Sequence, residues 1–88
     1  MQDNNNNYNL DGTFTTKETA LAAYLYTEGF ELIDVIVNKF EPSIFLFENS
    51  SQLQVQAKGF RLHQVMVNAA NYYEAYRKCL VMVKHGKI

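Results

Sequence analysis

Along this 88-residue chain the spacing of hydrophobic positions changes period several times, and each change marks an element. Residues 1–13 show no period. They are polar, with four consecutive asparagines, and read as a flexible tail ahead of one domain over 14–88. Residues 14–30, FTTKETALAAYLYTEGF, read as a helix marked at both ends. Thr15 or Thr16 suits its first turn, and Thr15 with Glu18 has the spacing of a capping box. Leu21, Tyr24 and Leu25 form the apolar stripe, and Ala20 and Ala23 make a small-residue flank open to close approach. Gly29 supplies the left-handed position after the last turn, with Phe30 placed to pack back on Leu25. Tyr26 falls on the opposite side and is expected to be exposed.

The period then shortens. FELIDVIVNK, residues 30–39, is rich in β-branched side chains and predicts a strand. Ile33, Val35 and Val37 define one face, with Phe30, Leu32 and Ile36 on the other beside Asp34, so both faces are expected to be partly covered. Residues 38–43, with Pro42, form a turn. SIFLFE, residues 43–48, is a second strand with Phe45 and Phe47 on one face and Ile44 and Leu46 on the other. The short link makes the pair an antiparallel hairpin. Asn49, Ser50 and Ser51 offer caps for a short helix over about residues 51–59, with Leu53 and Ala57 in register and Gly59 as its stop. Residues 60–67 fit either a short third strand or an extended linker. Asn68 caps the longest helix, 69–85, whose stripe is Tyr72, Tyr73, Tyr76, Cys79, Leu80 and Val83. Val81 and Met82 fall outside that stripe, and a helix so apolar wants a second covering layer or a partner chain. The expected fold is α+β: one small domain in the order α-β-β-α-(short β)-α, with a hairpin or small sheet packed against helices.

Composition narrows the class. Hydrophobic residues make up 48% of the chain, too many for a disordered polypeptide, and six Phe with six Tyr supply much of the burial. The single cysteine, Cys79, excludes an intramolecular disulfide and points to a reducing, cytoplasmic setting. No secretory signal and no apolar run long enough to span a membrane is visible, so a membrane role is not expected. Charge is uneven. Residues 1–48 carry two basic and eight acidic side chains, whereas 49–88 carry six basic and one acidic. This polarity fits an anion-binding half, or two halves attracting each other within one folded unit.

Candidate chemistry is sparse. His63, Cys79 and His85 lie far apart in sequence and lack metal-ligand spacing. Cys79 falls on an apolar stripe and reads as a small buried side chain rather than a nucleophile. The glycines are scattered and form no phosphate loop. No catalytic, cofactor or metal site is predicted, and no small-molecule substrate is evident. Lys58, Arg61, Arg77 and Lys84 are the candidate nucleic-acid contacts, Arg77 and Lys84 being seven apart on one flank of the last helix. Tyr26, Val81 and Met82 are the candidate protein-interface residues.

Three segments carry a resemblance. Phe14-x-Thr16-x-Glu18 with Ala22-Ala23-Tyr24-Leu25 and Gly29-Phe30, the strand Ile44-Phe45-Leu46-Phe47-Glu48, and Tyr72-Tyr73-Glu74-Ala75-Tyr76-Arg77-Lys78 resemble a small family of uncharacterised domains in short bacterial, including cyanobacterial, and phage proteins. The likeness covers about residues 14–84 and departs from the family at Glu18, where Asp is usual. It implies a compact α+β domain and carries over no active site. The expected function is a small non-enzymatic protein-interaction module, a homo-oligomer or an accessory subunit, with a nucleic-acid-binding accessory protein as the alternative.

Overall fold

A computed structural model of the chain describes residues 12–87. The elements are β1 (Thr13–Thr16), α1 (Thr19–Thr27), β2 (Leu32–Ile36), β3 (Ile44–Glu48), α2 (Ser51–Arg61) and α3 (Ala69–His85). The α+β class and the antiparallel sheet packed on helices are as expected. The third strand is not where the sequence suggested. Residues 64–67 carry no strand, and β1 pairs antiparallel with β3 instead, giving the sheet order β1-β3-β2. β1 and β2 therefore run parallel on either side of β3, with α1 as their crossover, in a split β-α-β arrangement. The tail expected over 1–13 lies outside the described residues for 1–11, while Thr13 opens β1 opposite Glu48.

β1 takes the residues that were expected to open the first helix. TFTT alternates around Phe14, which pairs with Phe47, and β-branched threonines suit a pleated edge. Thr16 still acts on the chain locally: its Oγ1 accepts the Glu18 amide at 3.0 Å and turns the strand into α1. Glu18 is the residue before the helix and makes no side-chain cap, so the capping box with Thr15 does not form. The other end of α1 is as predicted. The Phe30 amide donates to Leu25 O and the Gly29 amide to Tyr26 O, both at 3.1 Å, with Gly29 at φ +91°. This is the full Schellman pattern.

β2 departs from simple alternation. A bulge between Leu32 and Asp34 inserts one residue opposite β3, so that Leu32 and Val35, three apart, both turn inward. The Asp34 carboxylate accepts the Val35 amide at 2.8 Å beside the bulge. Ile33 is pushed outward and joins Ile36 on the exposed side. The expected face of Ile33, Val35 and Val37 is thus broken up: only Val35 is buried.

The inner sheet face, Phe14, Thr16, Leu32, Val35, Phe45 and Phe47, is buried beneath the helices. Its apolar members form one cluster with Leu21, Leu25, Leu53, Cys79 and Met82. The alanines of α1 explain the closeness of the helices. Ala22 and Ala23 are fully buried, and α1 packs most extensively on α3. The chain makes a slab 38 × 33 × 19 Å, two layers thick, with sheet on one side and helices on the other.

α2 begins as predicted, with Ser50 Oγ accepting the Leu53 amide at 3.0 Å, and buries Leu53 and Ala57. It does not stop at Gly59. That glycine lies inside the helix, where an added Cβ would come within 3.3 Å of Val65 Cγ1, so its bare backbone lets the returning chain pass close. The stop comes later: the Gln64 amide donates to Gly59 O and the His63 amide to Phe60 O, with His63 at φ +59°. α3 spans the predicted residues, capped by Asn68 Oδ1 on the Asn71 amide at 3.0 Å.

Candidate functional site

The register of α3 decides what the molecule shows to solvent. Ala75, Cys79 and Met82 are its buried line, flanked by the partly buried Tyr72, Tyr76 and Val83. This stripe is rotated from the predicted one. Tyr73 and Leu80, expected inside, are 61% and 45% exposed, and Met82, expected to be spare, is 1% exposed. Met82 is therefore core rather than interface, because it stands three residues after Cys79 on the face turned to the sheet and α1. Val81, one residue earlier, points out. Tyr26 is half-buried, with the Lys78 ammonium 5.8 Å above its ring, so it is less open than expected.

Tyr73, Arg77, Leu80, Val81 and Lys84 then form a continuous outer stripe, with Arg77 and Lys84 running between Leu80 on one side and Val81 on the other. Arg77 leans over the Tyr73 ring at 5.7 Å, which holds its guanidinium beside the apolar surface. The four candidate nucleic-acid contacts are all exposed but do not come together as one cluster. Lys58 and Arg61 sit on α2 and Arg77 and Lys84 on α3. Those two helices have little direct contact and each packs on α1. Arg61 is also engaged, its Nε 3.7 Å from Glu18 Oε1.

A second uncovered surface lies on the opposite side of the slab. No described element covers the outer face of the sheet, where Ile44 and Leu46 stand beside the exposed Ile33 and Ile36. Register places Leu46 between Thr15 and Asp34, and Glu48 next to Thr13. The Glu48 amide donates to Glu31 O at 3.0 Å, so two carboxylate-bearing residues are cross-strand neighbours at one end of this face. Like charges placed so are mutually destabilising. Sequence reasoning named Ile44 and Leu46 as one strand face. It missed that no described element lies over the face, because the bulge that brings Ile33 to it has no period of its own.

The interior offers little reactive chemistry. Burial pushes the Cys79 thiol up to about 11, which leaves it protonated and poorly nucleophilic near neutral pH. The Tyr72 hydroxyl donates to Ala20 O at 3.0 Å and ties α3 to α1, and burial, with smaller contributions from Tyr76 and Cys79, raises its pKa. Tyr24 donates to Gln56 Oε1 at 2.6 Å and stacks on Phe60, joining α1 to α2. Burial, then the nearby Glu28 charge, raises its pKa too. Among the described residues no group of three or more His, Cys, Asp or Glu side chains is placed to hold a metal ion. No described helix is long and apolar enough to cross a membrane.

A family model, described as a domain of unknown function (DUF5659), matches residues 11–82. The chain belongs to this family. The match runs from the residue before Gly12 to Met82, so a DUF5659 domain here comprises the whole sheet, α1, α2 and the buried line of α3. The resemblance read from the three segments is thereby borne out at the level of an uncharacterised domain family. Comparison with curated proteins and with solved structures finds no match.

Proposed function

We propose that this DUF5659 domain is a non-enzymatic, cytoplasmic protein-interaction module, working as a self-associating unit or an accessory subunit. One observation carries the reading. The outer stripe of α3 leaves Tyr73, Leu80 and Val81 open to solvent on a helix whose other side is fully used in the core. Apolar side chains exposed together on one helix face mark a protein-binding surface. Capture from the native host, with the wild-type chain and a Leu80→Asp/Val81→Asp chain as parallel baits, tests it. Wild type is expected to retain defined proteins that the double variant loses. Equal recoveries by both baits overturn the reading.

Nucleic-acid binding is the second reading, favoured by Arg77 and Lys84 sharing an exposed flank with Tyr73. It predicts retention on heparin and a binding constant that falls steeply with salt. Undetectable binding to mixed DNA and RNA pools at low salt removes it.

A further inference from the structure

We infer that the occupant of each face left uncovered by the described residues is the other face of a second copy of this chain, so that the domain associates head to tail through the sheet of one copy and α3 of the next. This rests on the interaction reading above and deepens it. The two faces match in kind. The sheet face is acidic at one end, with Glu31 and Glu48, and apolar toward the other, with Leu46, Ile36 and Ile44, Asp34 standing beside Leu46. The α3 stripe carries Arg77 and Lys84 between Leu80 and Val81, with Glu74 as the one acid of the helix.

Arg61 reaches Glu18, but among the described residues Arg77 and Lys84 have no carboxylate partner, and neither Glu31 nor Glu48 has a cation. Pairing α3 with α3 or sheet with sheet would oppose like charges, which costs affinity and suppresses that partner. Pairing sheet with α3 opposes unlike charges and covers exposed apolar side chains of both faces. The faces lie on opposite sides of a two-layer slab, so such a contact is heterologous and propagates into short arrays or rings rather than stopping at a dimer.

Sedimentation velocity on the full chain, with charge-reversal variants, tests this. One variant is Arg77→Glu/Lys84→Glu and the other Glu31→Lys/Glu48→Lys. All four positions are exposed. Circular dichroism checks the fold, and the Gln versions of the same positions replace any variant that fails it in the single-variant comparison, the mixture being read only with the charge-reversed pair. Wild type is expected to grow in average mass with concentration at low ionic strength and to dissociate as salt screens the contact. Each variant alone is expected to associate at least about tenfold more weakly, and an equimolar mixture of the two to recover association. A monomeric wild type at low salt overturns the inference. So does wild-type association by the first variant alone, which means sheet-to-sheet pairing, or by the second alone, which means α3-to-α3 pairing. A mixture that stays monomeric overturns it as well. If wild type is monomeric while host capture still depends on Leu80 and Val81, self-pairing fails and the interaction reading stands.

Discussion

His63 holds a backbone conformation that a β-carbon resists. At φ +59° it occupies the left-handed position closing α2, the place Gly29 takes after α1. A non-glycine residue there is disfavoured by about 1–2 kcal/mol, and part of that returns on substitution because glycine also loosens the unfolded chain. His63→Gly is therefore expected to stabilise the fold by about 0.5–1 kcal/mol in urea denaturation, and a loss of stability would argue against the stop as drawn. Cys79 gives a pH signature. Its thiol is raised by burial from its ordinary value of 9.0 to about 11, so the folded state prefers the protonated form. That contribution is complete below pH 9 and is lost as pH rises through 11. Tyr24 and Tyr72, also raised, push in the same direction. Comparison with Cys79→Ala isolates the thiol: the variant's stability should fall less steeply between pH 9 and 11. Native Cys79 should also react slowly with a disulfide reagent near pH 8 and rapidly once unfolded.

At the scale of the element, helix ends were legible where a local rule had no competitor. Ser50 and Asn68 cap α2 and α3 because each precedes an apolar-periodic run and has an amide three residues on to accept from. Ser50→Ala should cost about 1 kcal/mol by thermal or urea unfolding. Thr15 has the same local credentials and does not cap, because Phe14 gains more by pairing opposite Phe47 in the sheet, a contact 33 residues away that no local pattern announces. Gly59 misled for a similar reason: its role is room for Val65 rather than a helix stop. The β2 bulge is the third case, set by the need to bury both Leu32 and Val35 against one layer. The α1–α3 contact, by contrast, follows directly from the alanines. Ala22→Leu, at a fully buried position, should overpack it and destabilise by about 1–3 kcal/mol, measurable by denaturant titration.

At the scale of the whole molecule, the class of fold and the acidic-to-basic polarity were visible in the sequence. The placement of the candidate site was visible only in part. Arg77, Lys84 and Val81 do share one surface, whereas Met82 left it for the core and Lys58 and Arg61 lie on another helix. A stripe of six apolar residues on one helix is ambiguous by one register step, and only the contacts of α1 and the sheet choose between Met82 and Leu80. What the fold adds is a second surface, the open sheet face, opposite in charge to the first. The most direct test of their pairing is a dilution series followed by amide nitrogen–proton correlation spectra of the wild-type chain. Resonances of Ile44 and Leu46 are predicted to shift together with those of Leu80 and Val81, along one common concentration curve that moves with salt. Shifts confined to one of the two faces, or to neither, would contradict the account.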